Sequence, residues 1–224
     1  MKKIIPYIIA FLLIPAVIVT GIVFFENKQY SFISLAIALL TLFLFFFSFE
    51  RKETAAAKLV VIAVMTALSV AGRIIFAVLP GFKPVTAIVV ITAIYLGREA
   101  GFITGSLSAL LSNFYFGQGP WSPFQMLTWG LIGWFAAVFA KKLRCSRIAL
   151  SVYGFFAGIA FSLVLDIWSA IWMGGTFSFS RYFAVLASSL PFTAVYAVSN
   201  VVFLLLIGAP VGKKLERIII KYGL

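Results

Sequence analysis

Residues 57–79 read AKLVVIAVMTALSVAGRIIFAVL, and the fold class follows from this stretch. Only Lys58, at its start, and Arg73, inside it, carry charge. As a helix it is ~35 Å long, enough to cross the ~30 Å hydrocarbon core of a bilayer. Apolar runs of similar character recur at 4–25, 30–49, 84–97, 100–116, 124–140, 149–172 and 182–208. Together they predict eight helices. The run at 84–97 is short, about 20 Å by the helix rise, so neighbours or membrane-embedded loop must shield it. Over all 224 residues 63% are hydrophobic and 11% charged, against about 25% charged in soluble domains. The mean hydropathy is +1.14. The expected fold is an all-α polytopic membrane protein.

The same composition removes whole classes of chemistry. Histidine is absent and Cys145 is the single cysteine. Ser–His and Cys–His catalysis, His-ligated zinc or haem, and multi-thiolate metal sites are therefore excluded. The string Gly208 to Lys214, GAPVGKK, has the wrong spacing for a Walker A loop and lacks its Ser/Thr. The chain is expected to hydrolyse no nucleotide by itself and to carry neither metal nor cofactor.

Charge sets the orientation. With both termini in the cytoplasm, fourteen basic residues fall inside: Lys2, Lys3, Arg51, Lys52, Lys58, Arg98, Lys141, Lys142, Arg144, Arg147, Lys213, Lys214, Arg217 and Lys221. Only Lys28, Lys83 and Arg181 fall outside. Reversal would invert a strong positive-inside bias. The net charge of +12 then reports topology and contact with anionic lipid rather than nucleic acid. Residues 4–25 are too long for a signal-peptide core and a second span follows at once, so they are expected to be retained. The resulting organisation is a transmembrane hairpin over 1–49, a cytoplasmic linker over 50–56, a six-helix core over 57–212 and a basic cytoplasmic tail over 213–224.

Two ionisable residues lie inside expected spans, Arg73 and Asp166. Each is six positions from the outer end of its helix, or ~9 Å deep. A charge at mid-helix costs about 2.5–3.5 kcal/mol on the insertion scale. Matched depth and opposite sign suggest a mutual ion pair or a shared polar cavity. Such a pair either fixes helix packing alone or floors a ligand site open to the outside.

The three outer core loops share an unusual composition. Leu79 to Pro84 (LPGFKP), Phe116 to Gln125 (FGQGPWSPFQ) and Trp172 to Arg181 (WMGGTFSFSR) are all rich in glycine and aromatic residues. Glycine lets backbone approach a ligand, proline stiffens a loop and aromatics supply contact area. Interfacial belting accounts for some of the aromatics, whereas a lid over an outward-facing pocket accounts for all three loops. Asn113, Gln125, Asn200 and Ser169 add polar groups that either bond a ligand or join helices.

Small residues recur every fourth position in two places, at Ala63, Ala67 and Ala71, and at Gly97, Gly101, Gly105 and Ala109. Such stripes let helices approach closely where lipid offers no hydrophobic drive, either within the chain or against another membrane subunit.

Residues 57–208 resemble a substrate-binding S component of an energy-coupling factor (ECF) vitamin transporter. The resemblance rests on the six-helix core and on AVMTA at Ala63 to Ala67, which is similar to the family's AxxxA motif. It also rests on PGFKP at Pro80 to Pro84 leading to GREAGF at Gly97 to Phe102, and on NFYFGQGPWSPFQ at Asn113 to Gln125. Within the family the chain looks most like the cobalamin-type members. The amino-terminal hairpin departs from the six-helix pattern.

The resemblance implies a protein of the prokaryotic cell membrane that binds a vitamin from outside, beneath those three loops. Its partners would be a transmembrane coupling subunit, docked at Ala63, Ala67 and Ala71, and two cytoplasmic ATPases. The candidate ligand-binding residues are Arg73, Phe82, Lys83, Asn113, Gln118, Trp121, Gln125, Asp166 and Trp172. One rival is a self-contained proton-coupled carrier using Asp166, which would need an internal repeat that the chain does not show convincingly. Another is an intramembrane enzyme using Ser106, for which no activating base is expected at its depth. A third is a scaffold whose outer loops are dispensable.

Overall fold

A computed structural model of the chain describes residues 4–25, 30–49, 55–175 and 177–224. Lys2, Lys3, Lys28, linker residues 50–54 and Thr176 lie outside the described residues. The elements are α1 (Ile5–Ile8), a π-helical segment (Ile9–Leu13), α2 (Ile14–Phe25), α3 (Tyr30–Phe49), α4 (Ala55–Ile75), α5 (Val85–Leu96), α6 (Arg98–Phe116), α7 (Ser122–Val138), α8 (Ala140–Cys145), α9 (Arg147–Trp172) and α10 (Phe179–Tyr222). No strand occurs among the described residues. Helix forms over each of the eight expected stretches. Among the described residues, four helical stretches are long and apolar enough to cross a membrane by themselves: Ile5–Phe24, Ala56–Ile75, Arg147–Trp172 and Phe179–Tyr222.

The short fifth helix is the centre of the bundle. Every residue of α5 except Tyr95 is buried, and α4, α6, α7 and α10 pack around it. A helix too short to span hydrocarbon is thereby kept out of lipid by protein on all sides. The π-helical segment of the first span has a local cause. Pro15 offers no N–H to the carbonyl four residues back, and the helix widens into a π turn immediately before it.

Glycine sets the distance between α6 and α7. A Cβ on Gly105 would lie 2.4 Å from the Trp129 carbonyl, and one on Gly101 would lie 2.9 Å from that of Gly133. These backbones touch. On α9, a Cβ on Gly158 would lie 2.7 Å from the Ala197 backbone, so α10 approaches in the same way. The stripe of Gly101, Gly105 and Ala109 is therefore internal packing.

The stripe of Ala63, Ala67 and Ala71 does the opposite. All three residues are exposed, in company with Val60, Val64 and Leu68. The amino-terminal hairpin leaves them uncovered, because it packs on α6 and α7. Tyr7 and Phe11 set their rings edge-on to Trp134, with centroids 5.2 and 5.5 Å away. Arg98 donates a hydrogen bond to the Tyr7 hydroxyl.

The last helix is longer than the sequence reading expects. Residues 213–222, taken there as a tail, form the final turns of α10. Its 44 residues span ~66 Å if straight, about twice the hydrocarbon thickness. The turns bearing Lys213, Lys214, Arg217 and Lys221 thus extend beyond the apolar layer.

Glycine contact at α6/α7 makes a direct prediction. Gly105→Ala should lower stability in detergent by about 1–3 kcal/mol through overpacking. Gly208→Ala, where the added carbon meets only Leu150 at 3.4 Å, should leave it unchanged. Thermal unfolding of the two variants checks this, and equal melting temperatures would contradict the close approach.

Candidate functional site

The site is built around a charge that cannot face lipid. Arg73 lies near the carboxyl end of α4 and is 7% exposed. Its Nη1 donates to Ser112 Oγ and, at 2.8 Å, to Asn113 Oδ1, both on α6. The guanidinium carbon lies 4.7 Å from the ring centroid of Phe116 and 5.2 Å from that of Trp129. Its Nε is buried without a hydrogen-bond partner.

Asn113 passes the bonding on. Its Nδ2 donates to Ser122 Oγ at 2.8 Å and to Gln125 Oε1 at 2.9 Å. Ser122 donates to Gln118 Oε1 at 2.9 Å, and Gln118 Nε2 donates to the Leu110 carbonyl. The local sequence explains how residues 9 and 12 positions further on return to Asn113. Gly117 takes φ +96°, a conformation that disfavours a side chain, and it ends α6. The chain reverses through Gly119 and Pro120, and α7 restarts at Ser122 with Pro123 in its first turn.

The connection between α4 and α5 closes over this network. The Lys83 peptide N–H donates to Ser199 Oγ at 2.9 Å, and the Ser199 hydroxyl donates to the Lys83 carbonyl at 3.2 Å. The loop is thereby pinned to α10. Phe82 helps, packing on Phe203 with ring centroids 5.0 Å apart. The Lys83 ammonium lies 4.5 Å from the Phe116 ring, so one aromatic ring serves two cations. Burial, and then the positive charge of Arg73, lower the Lys83 pKa below its usual value.

Asp166 is placed elsewhere. It is buried at 7% exposure and accepts a hydrogen bond from Ser189 of α10 at 2.6 Å. Arg73 and Asp166 therefore form no ion pair, contrary to the simplest expectation from their depths. Arg73 finds its partners in the α4–α6 seam and Asp166 in the α9–α10 seam, each among neutral groups. Trp121 folds its ring over Gly119. Trp172 is exposed and packs on Trp168 at 5.2 Å.

Of the nine expected ligand residues, Arg73, Asn113, Gln118 and Gln125 thus share one hydrogen-bond network, with Lys83 joined through Phe116. Phe82 anchors the loop above it, and Asp166 and Trp172 stand apart on α9. Sequence reading missed Ser112, Phe116, Ser122, Ser189 and Ser199. A signal existed for the first two, since Ser112 and Phe116 share a helix face at a spacing of four. Asn200 and Ser106 join helices, donating to the carbonyls of Gly154 at 3.1 Å and Met126 at 2.9 Å. Ser169 bonds within its own helix.

Chemically, the arrangement offers two cations, a spare N–H, a chain of amides and hydroxyls, and flat aromatic faces. These groups suit a planar, acceptor-rich ligand. Nothing in the network pairs a nucleophile with a base.

Two outcomes follow. Asn113→Leu strips partners from Arg73, Ser122 and Gln125 and should cost about 1–3 kcal/mol or more, read as a fall in melting temperature. Lys83, with its folded pKa below the unfolded value of 10.5, binds fewer protons folded than unfolded between those two values. Stability should then rise as pH increases through that window. The rise should be smaller in Lys83→Met, and an identical slope in both proteins would contradict the burial of the ammonium.

The family model of the ECF-type riboflavin transporter S component matches residues 53–217. No curated protein and no solved structure matches the chain.

Proposed function

The chain belongs to the family of ECF-type riboflavin transporter S components, and from that premise we propose that it captures riboflavin outside the cell for import. As a member of that family it is the substrate-binding subunit of an ECF importer, a multi-pass protein of the prokaryotic cell membrane and not an enzyme. The observation that carries the riboflavin reading is the match over residues 53–217, which spans the whole Arg73 network. The cobalamin expectation finds no support in it.

The chemistry of the site favours the same ligand. A flavin presents a flat tricyclic ring edged with carbonyl oxygens and ring nitrogens, followed by a polyol chain. Phe116 supplies a face for the ring, Arg73 Nε and Lys83 supply donors for its edge, and Asn113, Gln118 and Gln125 match the hydroxyls. The bias of basic residues places the glycine-rich loops outside. The coupling subunit docks along Ala63, Ala67 and Ala71, whose exposure supports this reading, and two ATPases act through it.

Binding to the purified full chain tests the proposal. Riboflavin should lose fluorescence on stacking and should stabilise the protein by about 2.7 kcal/mol at a hundredfold excess over Kd, whereas cobalamin should do neither. Arg73→Ala should weaken riboflavin binding at least tenfold. Ala67→Trp should bind riboflavin normally yet abolish uptake in cells that hold the coupling module. Selective stabilisation by cobalamin would overturn the ligand. Uptake driven by a pH gradient without ATPases, and lost in Asp166→Asn, would instead identify a proton-coupled carrier.

A further inference from the structure

A groove lies along α9, lined by none of the residues of the Arg73 network. Two apolar cavities, of about 350 and 500 Å³, lie along α9, the first against α7 and the second against Phe139 and α8, and share Tyr153 and Phe156 in their walls. They form one groove. On α9 it runs from Ile148 to Val164, ~24 Å along the axis, which exceeds the ~15 Å of one leaflet's hydrocarbon.

The walls are dry. Leu131, Ile132 and Phe135 face Ala157 and Ala160 across the cavity. The two polar side chains among them are satisfied internally, Thr128 by the Phe124 carbonyl and Tyr153 by that of Ile132. No wall group asks for a polar occupant. The far end is different, since Lys142 and Ser146 line it. Lys141 and Arg147 flank these residues in the chain and are exposed. Arg144 is turned away, bonded to Glu216 at 2.7 Å and stacked on Tyr95. No acidic side chain lines either cavity.

An apolar trough longer than one leaflet's hydrocarbon, ending in positive charge with no acidic side chain in its lining, has the pattern of one kind of molecule. We propose that the α7–α9 groove is a binding site for an anionic glycerophospholipid, with an acyl chain along Ala157 and Ala160 and the phosphate at Lys142 and Ser146. Phe11 of the amino-terminal hairpin packs on Phe135, with ring centroids 5.8 Å apart. The hairpin thus backs the α7 wall of the groove at Phe135. This inference is independent of the identity of the transported vitamin.

The test uses the full chain purified in non-ionic detergent. Extraction and mass spectrometry should find phosphatidylglycerol retained in near-stoichiometric amount. Added phosphatidylglycerol should raise the melting temperature more than phosphatidylcholine does. Lys142→Glu, a surface change that leaves the walls intact, should weaken the phosphatidylglycerol effect by roughly tenfold and remove the preference over phosphatidylcholine. Ala160→Trp should fill the trough and release the retained lipid while the protein still unfolds cooperatively. Equal responses to the two lipids, or lipid retained unchanged in Ala160→Trp, would overturn the proposal. The former result would mark ordinary boundary lipid. A groove that stays lipid-free and instead holds a helix of a partner subunit would overturn it as well.

Discussion

A guanidinium inside hydrocarbon is the constraint on which the arrangement depends. Lipid offers no hydrogen bonds, so Arg73 must find its partners in protein. It takes them from Ser112 and Asn113 on α6. Asn113 in turn draws Ser122 and Gln125 back from the start of α7. One buried charge thus joins α4, α6 and α7 at the end of the bundle where the glycine-rich connections meet. Lys83 then lies over Phe116 and is held to α10 by Ser199. Two cations crowd one ring, and one of them keeps an N–H to spare. Such a site leaves one buried donor without a partner.

Close packing does the rest of the structural work, and its two stripes of small residues have opposite uses. Gly101 and Gly105 bring α6 against α7 at backbone contact, which aligns Asn113 with Ser122. Ala63, Ala67 and Ala71 face outward and uncovered. In an S component the second stripe is the one available to a partner, and the amino-terminal hairpin respects that division by packing on α6 and α7 instead. The hairpin lies outside the family match and leaves that stripe exposed. It also backs the α7 wall of the groove beside α9 through Phe11 and Phe135.

The legibility of the sequence was uneven, for identifiable reasons. Spans announced themselves because hydrocarbon imposes both a length and a composition on every helix that enters it. The internal position of α5 could be anticipated from its shortness alone. Arg73, Asn113 and Gln125 stood out as polar residues in apolar surroundings, and each belongs to the network. Phe116 did not stand out, because one aromatic among 25 phenylalanines carries no label. Ser112, Ser122, Ser189 and Ser199 were equally silent, since a membrane serine usually bonds its own helix. An Arg73–Asp166 ion pair, one of the two arrangements that their depths allow, does not form, because depth is one coordinate only. Two residues at the same height can face different seams.

The amino-acid sequence by itself determined the solvent, the positions of the eight apolar helical stretches and the lack of any histidine or second cysteine for catalytic or metal chemistry. All of these depend on composition and local periodicity, which need no knowledge of neighbours. Its motifs also carried the family resemblance. Only the tertiary structure decided which stripe of small residues is buried, how Arg73 and Asp166 are separately partnered, which serines complete the network and where the hairpin rests. Those outcomes depend on how each helix is rotated and which helix lies beside it. Rotation and adjacency arise from packing between segments distant in sequence, and no single segment contains them.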